Sequence, residues 1–99
     1  MTMQVEKELD DGVLTLKVTG RLDTNTSSEL EAELNFDGVK EVNFDFAELE
    51  YISSAGLRIL MTVQKAMTAC GGAMSVKSPN ATVKGIFDIT GMSSIFTIA

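Results

Sequence analysis

The sequence predicts an α/β fold, in which a mixed sheet of roughly four to five strands carries its helices largely on one side. Three observations carry that expectation. Segments whose apolar residues alternate with period two are interleaved with segments whose apolar residues recur every three or four positions. A turn, Asp10-Asp11-Gly12, separates two alternating segments near the start, as in a hairpin. The run Tyr51-Ile52-Ser53-Ser54-Ala55-Gly56-Leu57-Arg58-Ile59-Leu60 sets two hydroxyls where an apolar run becomes a helix.

The elements follow in order. Met3 to Leu9 and then Leu14, Leu16 and Val18, alternating with Thr15, Lys17 and Thr19, predict the hairpin, which ends at Gly20-Arg21-Leu22-Asp23. Thr26-Ser27-Ser28-Glu29 matches a capping box, so a helix is expected from there to about Asn35. Its apolar positions are few, Leu30, Ala32 and Leu34, which places it at the surface. Asp37-Gly38 turns the chain into a strand over Glu41 to Phe46. A second helix over about Ser54 to Ala69 has Gly56, Leu60, Val63, Met67 and Cys70 as its core stripe, with Arg58, Thr62 and Lys65 pointing away. Ser54, Leu57 and Met61 share an intermediate edge that reads either as a docking surface or as a widening of the core. Gly71-Gly72 stops that helix, Ala73 to Lys77 reads as a strand, and Ser78-Pro79-Asn80 turns. Val83, Ile86, Phe87 and Ile89 predict a short helix ending near Gly91, and Ile95 to Ile98 a last short strand. Right-handed crossovers would connect the parallel strands.

Composition narrows the function. A 99-residue chain with 44% apolar residues is read as one domain over 1–99 with a modest core. The formal charge of −6 opposes binding to nucleic acid or an anionic membrane, so protein partners are expected. No apolar run approaches the ~20 residues of a membrane span, and the first residues lack a signal pattern, so the expected location is the cytoplasm. Cys70, the only cysteine, is read as a small buried side chain. With no histidine, the commonest general base and metal ligand is missing, and neither a metal nor another cofactor is expected. Ile52-Ser53-Ser54-Ala55-Gly56 also lacks the first glycine of a nucleophile elbow, so the chain is not read as an enzyme. No phosphate-binding glycine pattern occurs, and Asn25-Thr26-Ser27 and Asn80-Ala81-Thr82 are read as helix-entry turns.

A serine at the Ser53-Ser54 junction can cap the helix, contributing on the order of 1 kcal/mol, and the exposed N–H groups there also accept a phosphate. Asp23 and Asp45, each ending a strand, are expected on the same sheet edge as Ser54.

Three ordered segments carry a family resemblance. Gly20-Arg21-Leu22-Asp23, then Asp45 through Leu57, then Val83 through Met92 together resemble the bacterial anti-sigma factor antagonists of the STAS family, nearly end to end. The resemblance implies the STAS fold and a partner switch in transcription regulation. The unphosphorylated protein would bind a serine-kinase anti-sigma factor, phosphorylation would end the capture, and a phosphoserine phosphatase would restore it. Where many members read Asp-Ser-Ser-Gly, this chain has Ser53-Ser54-Ala55-Gly56, so the family's acceptor position is Ala55. The acceptor is read as Ser54, with Ser53 as the alternative. The partner surface is read as Asp23, Thr24, Ser53, Ser54, Ala55, Gly56, Leu57, Arg58 and Met61. Family members usually continue into a further C-terminal helix, which is expected to be missing here, and the chain is read as a monomer or weak dimer. The alternative function is a STAS binding module regulating a non-sigma partner, a secretion regulator, a phosphatase or a lipid-transport complex, with or without phosphorylation.

Overall fold

The computed structural model describes residues 3–98; Met1, Thr2 and Ala99 of the expected 1–99 domain lie outside the described residues. Two strands come first, β1 (Gln4–Asp10) and β2 (Val13–Leu22), paired antiparallel from Gln4 opposite Thr19 to Asp10 opposite Val13. The two residues between them, Asp11 and Gly12, have φ of 50° and 82°. Positive φ at both positions is what a two-residue type I′ turn demands, and Asp-Gly accepts it at little steric cost. Helix α1 (Ser27–Ala32) follows, then β3 (Glu41–Asp45), β4 (Leu49–Ile52), α2 (Ser54–Ala69), β5 (Ala73–Lys77), α3 (Ala81–Thr90), a single 3-10 turn over Met92–Ser94, and β6 (Thr97–Ile98).

The sheet has six strands in the order β1-β2-β3-β5-β6, with β4 off this path and paired to β2. All pairings except β1 with β2 are parallel. The strand missing from the sequence expectation is β4, whose Leu-Glu-Tyr-Ile is too short to show a period. It matters because β3 ends opposite Lys17, and β4 then takes over as partner of β2, pairing Gly20 with Leu49, Arg21 with Tyr51 and Leu22 with Ile52 across a register shift.

Burial alternates strictly along β2. Leu14, Leu16 and Val18 are buried, as are Val42 and Phe44 of β3 and Met74 and Val76 of β5, while the intervening residues of β2 and β5 are at least partly exposed. One face of the sheet is therefore apolar and covered by the helices, and the other is polar. On the polar face Asn43 is buried, with its amide donating to Glu41 at 3.0 Å and its carbonyl oxygen accepting from the Ser75 hydroxyl. Each amide group is thus partnered, as burial requires.

Helix α1 is shorter than expected, ending at Ala32 rather than near Asn35, and Leu30 is its only buried residue. Glu31 and Glu33 sit at its C-terminal end with no basic residue in the last turn, where the helix dipole opposes negative charge. The Thr26 capping box does not form: Thr26 has helical backbone angles and its side chain makes no cap hydrogen bond. By contrast α2 spans the expected residues and buries Gly56, Leu57, Ile59, Leu60, Val63 and Met67. Cys70 lies past its last turn and is exposed, not buried, with its thiol 3.4 Å from the Met67 carbonyl. Asn80 opens α3, accepting from the Val83 N–H at 2.8 Å and donating to the Leu49 carbonyl of β4 at 2.9 Å. That one amide ties the third helix to the short strand before the serines. No helix among the described residues is long and apolar enough to cross a membrane.

The first turn of α2 lies against the sheet at Gly56. A Cβ there would approach Ile52 Cγ1 and Leu22 Cγ to 2.8 Å each, closer than packed atoms tolerate. Gly56→Ala is expected to lower stability by about 1–3 kcal/mol. Urea unfolding measures it, and an unchanged midpoint at unchanged slope would refute the contact.

Candidate functional site

The candidate site is the junction where β2, β4 and α2 meet. β2 and β4 run side by side and end together, and the Ser53 N–H donates to the Leu22 carbonyl at 2.8 Å. This bond fixes the start of α2 beside the loop that leaves β2. Ser53 is the N-cap in extended conformation, with φ −95° and ψ 175°, and its Oγ accepts from the Gly56 N–H at 3.3 Å. Its carbonyl accepts from Leu57 at 2.9 Å, the first turn of the helix. The two hydroxyls are therefore not equivalent. Ser53 is half-buried and engaged as the cap, whereas Ser54 is the first helical residue, exposed, with no hydrogen bond to its hydroxyl among the described residues.

The loop beside them is built on Asp23 and Thr26. The Asp23 carboxylate accepts from the backbone N–H groups of Asn25 and Thr26 at 3.0 Å each, closing a tight turn. The Thr26 side chain is buried. Its Oγ1 lies 2.8 Å from the Arg21 carbonyl, to which it donates, and accepts from the Asp23 N–H at 2.9 Å. Thr26 thus holds the loop from inside instead of capping α1. The hydrogen bond from the Thr26 backbone N–H, the largest influence, holds the Asp23 carboxyl below the usual carboxylate range against the opposing effect of burial, with smaller help from the Thr26 hydroxyl, the Asn25 N–H and Arg21.

The structure sorts the expected site residues by accessibility. Thr24, Ser54 and Arg58 are exposed, and Asp23, Ser53, Ala55 and Met61 are half-buried. Gly56 and Leu57 are buried and offer no surface; Leu57 is only 7% exposed, which removes it from the expected partner surface and decides its position on the Ser54-Leu57-Met61 edge as a widening of the core. The apolar arc of α2 is wider than a single stripe, and Leu57 and Ile59 belong to it. Asp45 is also placed elsewhere. It lies opposite Lys17, five residues before Leu22 along β2, which is about 16 Å at the rise of a strand. Its carboxylate accepts from the Ala47 N–H instead.

One pair escaped the sequence reading. The Arg21 guanidinium lies over the Tyr51 ring at 4.5 Å from its centroid, with Nε 4.0 Å from the Asp23 carboxylate. The two are register partners on β2 and β4, so without β4 nothing in the sequence brings them together. Arginine and tyrosine are the residue types that most often anchor protein interfaces.

Two outcomes test this geometry. Ser53→Ala is expected to destabilise the chain by about 1 kcal/mol through loss of the cap, and Ser54→Ala by less than about 0.5 kcal/mol. Equal losses in thermal unfolding would contradict the assignment of the cap to Ser53. Because the folded state holds the Asp23 carboxyl low, its contribution to stability is complete above the ordinary aspartate pKa and disappears as pH falls through the lowered value. Carbon-detected NMR titration should place its midpoint below that of aspartate in an unstructured peptide, and Thr26→Ala should move it back up.

The STAS domain model matches residues 4–99 of this chain. A Bordetella bronchiseptica protein, BtrV, named as a candidate anti-sigma factor antagonist, is 33% identical over 98% of this chain and 86% of its own length. The solved structure of the anti-sigma factor antagonist SpoIIAA in its unphosphorylated form aligns with a TM-score of 0.82 at 20% identity, covering 99% of this chain and 88% of its own. The Bacillus cell fate determinant SpoIIAA in the phosphorylated form aligns at 0.74 and 18%, covering 99% and 91%. At those identities the structures speak for the fold, and the family model and the BtrV similarity speak for descent. This chain belongs to the STAS domain family.

Proposed function

We propose that this chain is an anti-sigma factor antagonist that captures a serine-kinase anti-sigma factor and is released when Ser54 is phosphorylated. The observation that carries the choice of acceptor is the division of labour between the two serines. Ser53 holds the helix cap, and Ser54 presents an exposed hydroxyl one residue later. Ala55, which stands at the family's usual acceptor position, has no hydroxyl. The existence of SpoIIAA in phosphorylated and unphosphorylated forms supports reading a phosphoswitch in a relative of the same fold.

The surface available to the partner is Thr24, Ser54 and Arg58, flanked by Asp23, Ala55 and Met61. A kinase would transfer the γ-phosphoryl of ATP to Ser54 Oγ, adding roughly −1.5 to −2 charges beside the Asp23 carboxylate. Within the folded chain the phosphate is tolerated. The N–H groups of the first turn lack helical partners, and Arg58 stands one turn further along the same helix. Within a closed interface the same charge is poorly compensated. A loss of about 3 kcal/mol weakens binding more than a hundredfold, enough to release the partner. A phosphoserine phosphatase would reverse the step, and the cycle would operate in the cytoplasm.

Incubation with the host's serine-kinase anti-sigma factor and ATP, followed by intact-mass measurement, tests the reading. One phosphate adduct is expected on the wild type and on Ser53→Ala, and none on Ser54→Ala. Ser54→Asp should bind the partner at least about a hundredfold more weakly. Absence of any adduct, together with wild-type affinity of Ser54→Asp, would sink the proposal.

A further inference from the structure

β1 is an edge strand that runs along β2, with its Asp10 end opposite Val13, remote from the serines, and its Gln4 end opposite Thr19. Among the described residues it is paired only to β2, spans seven residues, and has only Val5 half-buried. Natural edges are commonly short, as is the two-residue β6 at the other side of this sheet. A seven-residue open edge presents a row of unpaired N–H and C=O groups to solvent.

The side chains of β1 divide by parity. Glu6, Glu8 and Asp10 stand opposite Lys17, Thr15 and Val13, on the polar face of the sheet. Lys7 and Leu9 stand opposite Leu16 and Leu14, on the helix-covered face. There the strand borders a groove of about 250 Å³, lined by Lys7, Leu9, Leu14, Glu33, Asn35 and Asp37. Leu9 is 58% exposed in it, an apolar side chain without cover. The Lys7 ammonium is already engaged, 3.2 Å from the Glu33 carboxylate and 3.2 Å from the Glu33 carbonyl.

We infer that the β1 edge accepts an added strand from a protein segment that alternates basic and apolar residues. The period of two decides the match. An added strand places every second side chain beside Leu9 and the groove, where an apolar group is covered, and the others beside Glu6, Glu8 and Asp10, where a cation is paired. A second copy of this chain is disfavoured as the occupant, since β1 against β1 brings carboxylates face to face. A neutral or acidic strand gains nothing from the same charges. A strand seated on Glu6–Asp10 spares the junction at Ser54: the residues opposite, Lys17 back to Val13, lie five to nine residues before Leu22 along β2, about 16 to 30 Å. The two surfaces can therefore be occupied together, independently of the phosphoswitch.

The test is an NMR titration of the nitrogen-15-labelled full chain with a synthetic peptide alternating lysine with valine and leucine. Amide shifts and slowed hydrogen exchange are expected along Glu6–Asp10. Methylating alternate backbone nitrogens of the peptide on its pairing edge should weaken binding at least about tenfold, as should the pair Glu8→Lys and Asp10→Lys. Ser54→Asp should leave peptide affinity unchanged. Shifts centred on Ser54–Met61, equal affinity for the methylated peptide, or concentration-dependent protection of β1 by a second copy in the free chain would each overturn the inference.

Discussion

The contact of Gly56 with Leu22 and Ile52 is the constraint on which the functional end of this molecule depends. A helix can sit this close to two strand ends only where it has no side chain to interpose. The closeness sets the axis of α2, and the bond from Ser53 to the Leu22 carbonyl sets its start. Together they put the serines beside the Asp23 loop and turn three separate chain segments into one surface. The remaining buried residues of α2 reinforce this placement, and Leu57 does so from a position that the spacing of the helix left open.

Much of this architecture was legible in the residue pattern, for identifiable reasons. The second helix was read at its observed bounds because its apolar spacing persists over four turns between a serine cap and paired glycines. The hairpin was read from its alternation and from Asp11-Gly12, whose positive φ values the structure bears out. The losses are equally specific. Four residues of β4 show no period, and missing them also hid the stacking of Arg21 on Tyr51 and misplaced Asp45. The apparent capping box at Thr26 failed because a threonine hydroxyl has other carbonyls to serve: here the loop from Arg21 to Asp23 took it. The stripe of α2 was drawn one residue too long at Cys70, omitted Ile59 and left Leu57 open, since spacing gives the direction of a helical face but not its width.

Carboxylates at two places in the molecule differ in character. At the serine junction one carboxylate, Asp23, is consumed by backbone donors and shapes a loop. Along β1 the carboxylates line a free edge and meet solvent. Of the fourteen acidic residues, Asp23 builds local geometry and Glu6, Glu8 and Asp10 present a field.

The pairing pattern of the sheet carries a consequence for how the chain acquires its shape. Among the described residues only β1 and β2 join through a two-residue turn; every other pairing is parallel and must wait for a longer segment to cross the sheet. Loop closure makes such pairings slow, whereas a hairpin with a favoured turn closes in microseconds. The junction beside Ser53 joins β2 to a strand almost thirty residues later, so it belongs to the late stage of folding. The serine junction is therefore completed after the hairpin, and exists only once the crossovers are in place.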